Sequence, residues 1–409
     1  MINAIKAKWH KLMEKDCFTL FCYAIIATGG IYLIGSLISF GWLFDKIFFA
    51  HTNDAFMDFF NSIRDASLGL GSYTERKVIY PPMANLFFLL LSKITPVSYN
   101  VTDWDYRLSW TYHRTNIVLI CAFILICTFI FSLLIYASLK SSRKNKLLFV
   151  AVAVFSVPFL NMLERGNIMV IAFLFLLVYA LTYDSKSAAL RELGLIALAF
   201  SFSIKLYPAL FAWVLIADKR YREFFRCIIY CLILLILPSF AFGGPSCLLL
   251  ILENIFSFST GSSGVLSVIS RYAKIPSFLV QFCAYTLFVL CGLCFAASTF
   301  IYKEEKDKWK IWMLGCITFL SFPSLSSTYA WALFLIPLMR IFKKGMKGKD
   351  IPGYFIPLTV PFLFLPIPLP MHLTANAIAL YVCIFAMTVY TIYDTVNAWK
   401  NIRKAKAAK

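Results

Sequence analysis

The feature that most constrains this chain is a succession of long apolar runs divided by short basic loops. Residues 17–43 form the first run, introduced by Lys6, Lys8, Lys11 and Lys15. A helix of about 20 apolar residues crosses the hydrocarbon of a bilayer. It does so because it satisfies its own backbone hydrogen bonds where water is absent. Further apolar segments run at about 115–139, 147–163, 168–184, 190–217, 227–243, 276–300, 311–323, 329–341, 351–368 and 374–397. The chain is 61% hydrophobic and 14% charged, against roughly 45–50% and about 25% in soluble proteins. One soluble core could not bury that much apolar surface. Disorder, a collagen-like rod and a secreted disulfide scaffold are excluded on the same ground. The expected fold class is an all-α polytopic membrane protein. It forms one domain over residues 1–409, without an internal repeat or low-complexity linker.

The net charge of +19 has an ordinary explanation once the basic residues are placed. Clusters at 1–16, 140–146, 186–191, 219–226, 303–310, 340–349 and 400–409 hold 28 of the 39 Lys and Arg. Basic loops stay on the cytoplasmic side, so these segments are expected inside. Segment 190–217 then starts and ends inside and must be a hairpin, breaking near Lys205–Pro208. Segment 43–114 becomes an external loop, in which the apolar stretch 84–95 is too short to span and reads as an interfacial or re-entrant helix. The scheme gives about twelve crossings. The N-terminal segment 1–16 and the basic tail 398–409 are both cytoplasmic. Residues 1–16 do not read as a signal peptide, because the following run is too long and lacks a small-residue cleavage site. The basic runs lie on short inner loops without a nucleic-acid-binding fold, so nucleic acid is not an expected partner. Of the 12 cysteines, only Cys247 falls in a proposed outer loop, and Cys291 and Cys294 read as small packing residues.

The expected chemistry lies on the outer side. In NDAFMDFFNSIRDAS, Asp54, Asp58, Asn61 and Asp65 recur at i, i+4, i+7 and i+11, while Phe56, Phe59, Phe60 and Ile63 form the opposite stripe. This is the pattern of an amphipathic helix at the interface. A solvated surface face is the bland explanation. An almost purely acidic stripe at membrane depth, with Arg64 off to the side, favours a functional one. A carboxylate in a partly dry site is suited to general-base work. Polar groups recur at the other outer span ends. They are Glu164, Arg165 and Asn167 in an ERGN turn, Lys205 and Tyr207 in IKLYP, Arg271 after STGSSGVLSVIS, Tyr329 in FPSLSSTYAW, and His372 before the last span. Cations facing a carboxylate suit transfer chemistry on a phosphate-bearing lipid. No phosphate-binding glycine loop, dinucleotide fingerprint or zinc motif is present, so no metal or cofactor is expected.

At these residues the chain resembles the GT-C membrane glycosyltransferases, and among them glycosyltransferase family 87. The resemblance rests on the outer Asp-bearing helix from Asp54 to Asn61, on Tyr73 followed by Tyr80-Pro81-Pro82-Met83, on the turn Arg165-Gly166-Asn167, and on SIKLYPALF followed by a basic inner loop. A Ser-rich stretch ending in Arg271 is similar to the family's outer Ser…Arg segment. The match spans roughly residues 40–275, and the C-terminal third matches in hydropathy alone.

The resemblance implies a GT-C-like fold and a polyprenyl-phosphate-linked sugar as donor, commonly mannose. It implies an inverting transfer, on the extracytoplasmic face of the cell membrane, to a glycan or glycolipid acceptor. Asp54 is then the expected catalytic base, with Asp58 the next candidate. Lys205, Arg271 and Arg165 are the expected donor-phosphate contacts. Asn61, Tyr80, Asn167, Tyr207, Tyr329 and His372 are expected to bind substrate. One departure stands out. Where many members carry a Ser-Trp-x-His segment, this chain has SLSSTYAW, with Thr328 and Tyr329 replacing the histidine, leaving His51 or His372 for that place. Two other classes stay open at this level: a polymerase or ligase of lipid-linked polysaccharide, and a transporter of lipid-linked sugar or a small solute.

Overall fold

The computed structural model describes residues 8, 10–49, 55–95, 113–260, 274–301, 307–322, 328–365 and 375–407. Among them the chain is helical, and the one β-bridge joins Asp16 to Lys347. The helices used below are α1 (Cys17–Ile38), α2 (Met57–Ser67), α3 (Pro82–Ser92), α4 (Arg114–Ser138), α5 (Arg143–Val154), α6 (Val157–Arg165), α7 (Met169–Thr182), α8 (Ala188–Ile204), α9 (Tyr221–Ser239), α10 (Cys247–Thr260), α11 (Ser277–Ile301), α12 (Lys308–Leu320), α13 (Leu335–Lys343), α14 (Pro352–Thr359) and α15 (Ala375–Ala407).

Among the described residues, five helices are long and apolar enough to cross a membrane: α1, α4, α9, α11 and α15. They keep large apolar side chains exposed, among them Ile31, Leu37, Leu125, Phe129, Leu237 and Phe282. That is the surface of a protein solvated by lipid rather than water. A further span results if α5 and α6 are read as one broken helix, bent by 51°. Pro158 in the first turn of α6 explains the bend, because it has no N–H to continue the ladder of α5. This count does not confirm the expected dozen. Several apolar segments fold instead as short helices, such as α3, α7 and the segment Tyr207–Ala217. At 11 residues, α3 is only about 16 Å long, as expected for a stretch too short to span.

The hairpin expected at 190–217 is present. Helix α8 stops at Ile204, and Lys205 is extended (φ −140°, ψ 130°). The chain then returns through a 3-10 segment, Tyr207–Ala212, and a short helix, Trp213–Ala217. Its two ends meet in one charged cluster. There Arg191 Nε lies 3.2 Å from Glu223 Oε1, Lys308 Nζ 3.1 Å from Asp218 Oδ1, and Arg340 Nη1 3.0 Å from Asp184 Oδ2. The N-terminal segment joins the 346–348 turn through Cys17 N to Met346 O (2.8 Å) and Gly348 N to Lys15 O (3.2 Å). Lys15, Arg191, Arg220, Lys308 and Arg340, each from a different basic cluster, thus lie toward one end of the molecule. Lys205 is separated from that end by the 17 residues of α8, about 25 Å of helix.

The acidic stripe is only partly as the spacing suggests. Helix α2 begins at Met57, after Phe56 in a left-handed conformation (φ 59°), so α2 carries Asp58, Asn61 and Asp65 of the stripe, while Asp54 lies outside the described residues. Arg64 does not stand aside on a wet face. It is buried at 6% exposure, with Nη2 2.7 Å from Asp65 Oδ1. Burying that guanidinium requires a partner charge, and this draws Asp65 off the stripe.

Candidate active site

Helix α6 ends in a left-handed Gly166 (φ 61°, ψ 29°), with Gly166 N bonded to Leu163 O and Asn167 N to Met162 O. Glycine is required there twice over. The conformation disfavours a Cβ, and a Cβ on Gly166 would lie 2.8 Å from Cβ of Phe59 on α2. That close approach brings the ERGN turn against the acidic helix. Arg165 Nη2 donates to Asp58 Oδ1 at 2.5 Å, and Asn167 Nδ2 donates to Asp58 Oδ2 at 2.7 Å. Asn167 Oδ1 accepts from Met169 N at 2.9 Å, which fixes the amide's orientation. Glu164 ties down the chain ahead of α2. Its carboxylate accepts from Phe49 N and its backbone carbonyl from Phe56 N, both at 2.7 Å.

Asp58, Arg165 and Asn167 form part of the wall of a cavity of about 890 Å³. Lys205, Tyr207 and Tyr80 line it too, with Tyr329, Trp331, Asn161 and Tyr381. The Lys205 ammonium lies 4.1 Å from the centre of the Tyr80 ring. It makes no ion pair or hydrogen bond within the described residues. Tyr207 stacks on Phe319 (3.7 Å between centres, 23° between planes), and its phenol donates to the Met169 sulfur. Burial pushes the Tyr80 phenol well above its ordinary pKa, with the Asp58 charge adding to the effect, so Tyr80 stays neutral.

The Tyr80 loop is held from behind. Buried Tyr73 donates from its phenol to Tyr80 O at 3.2 Å. Asn254 on α10 donates to Tyr73 O (2.9 Å) and Val78 O (3.1 Å). The motif tyrosine at 73 therefore positions the YPP segment and does not itself line the cavity.

Of the residues singled out in the sequence, Asp58, Tyr80, Arg165, Asn167, Lys205, Tyr207 and Tyr329 meet on this one cavity. Asn61 is not among its lining residues, and its Oδ1 is buried without a partner in the described residues. Asp54, Arg271, His372 and His51 lie outside the described residues.

The sequence model of glycosyltransferase family 87 matches residues 79–327. The chain belongs to glycosyltransferase family 87. It is therefore a membrane-embedded glycosyltransferase, acting on a sugar donor and an acceptor. The matched region of this family 87 enzyme contains Tyr80, Arg165, Asn167, Lys205 and Tyr207. Asp58 precedes it, and Tyr329, Trp331 and Tyr381 follow it, so the cavity also draws on chain beyond the matched region. No curated protein and no solved structure matches the chain.

Asn161, Trp331 and Tyr381 were not expected at the site. Asn161 carries a weak signal, as an amide near the end of the apolar segment 147–163. Trp331 and Tyr381 carry none, because aromatic residues near span ends are ordinary interface anchors.

Proposed function

We propose that this enzyme transfers a mannose-like hexose from a polyprenyl-phosphate donor to a hydroxyl of a glycan or glycolipid. The reaction takes place on the extracytoplasmic face of the cell membrane, with inversion at the anomeric carbon. The observation that carries the reading is Lys205, buried in a part-apolar cavity over the face of Tyr80 and without an ion pair in the described residues, where the nearby Asp58 charge is already held by Arg165 and Asn167. A desolvated cation is expensive unless an anion joins it, and a lipid phosphate entering from the bilayer supplies one. Arg271 is assigned to the same phosphate, with Arg165 at the rim of its site.

The two carboxylates take different parts. Both oxygens of Asp58 are engaged, one by Arg165 and one by Asn167, so Asp58 is the group that holds these donors at the cavity. Asp54 is assigned as the base. It takes the proton of the acceptor hydroxyl as that oxygen attacks the anomeric carbon. The C–O bond to the donor phosphate breaks, and its electron pair leaves with the prenyl phosphate. The leaving group already carries negative charge, so the step requires neither a nucleotide nor a metal. Tyr80, Asn167, Tyr207 and Tyr329 contact the substrates, with Asn61 and His372 assigned by sequence.

The test is transfer by the purified full-length protein in detergent, with radiolabelled polyprenyl-phosphate sugars and candidate acceptors. Product formed without a membrane gradient excludes a pure transporter. Asp54→Asn is expected to abolish transfer while the protein still inserts and purifies. Full activity in that variant removes Asp54 as the base.

A further inference from the structure

One basic loop differs from the others in having no countercharge within the protein. In the clusters around it, cations are tied to carboxylates: Arg191 to Glu223, Arg226 to Glu192, Lys308 to Asp218 and Arg340 to Asp184. The turn joining α4 to α5 carries Lys140, Arg143, Lys144 and Lys146. None of these four has an acidic partner among the described residues. The chain offers none nearby, since no Asp or Glu occurs between Asp105 and Glu164. Lys140, Arg143 and Lys144 are exposed, and Lys146 Nζ lies 4.9 Å from the centre of the Tyr136 ring. A ring face attracts a cation but cancels no charge. Like charges this close repel one another and draw a shared anion. The turn also lies at the edge of the bilayer, because it joins the candidate span α4 to the broken pair α5 and α6. Leu133 on α4 and Leu147 on α5 flank it, 53% and 52% exposed. Phe149, one turn further along α5, packs its ring 5.9 Å from Phe18 and 5.5 Å from Phe342. The loop therefore lies toward the end that holds Lys15 and Arg340, away from the Lys205 cavity.

We infer that the 140–146 loop is a binding surface for the headgroup of an anionic phospholipid, whose acyl chains lie against Leu133 and Leu147. Cations on a short turn between two lipid-facing helices cannot leave the headgroup layer. A cluster of Lys and Arg directly beside a span attracts anionic lipid more strongly with each cation it holds. Two hydroxyls add to the surface. Ser141 Oγ accepts from Asn145 Nδ2 at 3.0 Å, and Ser142 Oγ accepts from Asn145 N at 3.3 Å. Their exposed O–H groups are left to donate to a phosphate oxygen. The apolar flanks favour a lipid over a soluble anion or a nucleic acid, either of which would leave Leu133 and Leu147 uncovered. The surface is separate from the transfer site, so it stands whichever sugar donor the enzyme takes.

The purified full-length protein is titrated with phosphatidylglycerol in detergent, and the affinity for the first bound lipid is read by native mass spectrometry. Arg143→Gln is expected to weaken that affinity about fivefold. Lys140→Gln, Arg143→Gln, Lys144→Gln and Lys146→Gln combined should weaken it by more than about 100-fold. Phosphatidylcholine, which has the phosphate but no net charge, should bind the wild type far more weakly. Inorganic phosphate, which has no acyl chains, should not displace the lipid at equal concentration. A control variant removes the same charge elsewhere at this end, through Lys186→Gln, Lys219→Gln, Arg222→Gln and Lys343→Gln together. It should bind phosphatidylglycerol as the wild type does. Arg143 is exposed, so Arg143→Gln carries the test if the fourfold loop variant does not purify as a monodisperse protein. The inference is overturned if the loop variants keep wild-type affinity. An equal loss in the control variant also overturns it, since that marks a response to net charge alone. So does a wild type that holds phosphatidylcholine as tightly, or that releases phosphatidylglycerol to inorganic phosphate.

Discussion

Gly166→Ala should damage the site without touching any polar group in it. Two separate penalties are visible at that position. A left-handed conformation costs an L-residue about 1–2 kcal/mol, and Gly166 has φ 61°. The added methyl would also lie 2.8 Å from Phe59 Cβ, well inside the ~3.5–4.0 Å of ordinary carbon contact. Since Phe59 Cβ is fixed to the backbone of α2, relief requires α2 and the turn after α6 to separate by about 1 Å. Overpacking of this kind costs about 1–3 kcal/mol. The molecule contains its own control. Gly345 has φ 62° with nothing within 4 Å of its added Cβ, so Gly345→Ala carries the conformational penalty alone. Gly345→Ala should lose about 1–2 kcal/mol and keep its activity. Gly166→Ala should lose about 2–5 kcal/mol. Separation of α2 from the turn strains the Arg165–Asp58 and Asn167–Asp58 bonds. An ångström of misplacement in a catalytic constellation lowers kcat/KM on the order of 100-fold. Unfolding in detergent and sugar transfer are measured side by side. Equal stability and equal activity of the two variants would refute the argument that the Gly166–Phe59 approach builds the site.

Lys205→Gln should raise donor KM about 10–100-fold, the range for a lost charge-assisted hydrogen bond, and leave acceptor KM near wild type. Asp58→Asn should lower kcat by releasing Arg165, and Arg165→Lys should lower it too, because the shorter-reaching, undirected ammonium of lysine does not reproduce the N–H that Arg165 Nη2 sends to Asp58 Oδ1. Steady-state kinetics with each substrate varied in turn checks both. Asn254→Leu leaves the carbonyls of Tyr73 and Val78 without their donor, at about 1–3 kcal/mol each. It should destabilise the protein and raise KM by loosening the Tyr80 loop, whereas Tyr73→Phe, which removes one bond at 3.2 Å, should do less. Thermal unfolding together with transfer assays separates the two.

Much of this protein was legible in the sequence because its solvent is so demanding. Lipid accepts only closed backbones and apolar surfaces, so hydropathy alone fixed the all-helical membrane class. Its residual polar groups pointed toward the cavity. The Lys205 break followed from local chemistry, a cation beside a proline within an apolar run. The basic loops foretold that the two ends of the 190–217 hairpin meet, as the Arg191–Glu223 and Lys308–Asp218 pairs show.

Tertiary structure decided which polar groups find partners. Asp58 and Asp65 are equivalent on a helical projection. Only packing shows that Asp58 is held by Arg165, 107 residues away, while Asp65 is consumed by the buried Arg64. Only packing shows why Gly166 must be glycine, since its close neighbour Phe59 comes from another helix. Periodicity and hydropathy report on a residue's own neighbourhood. A contact between distant segments depends on how helices dock, which is why the sequence located the charges and the fold gave them their roles.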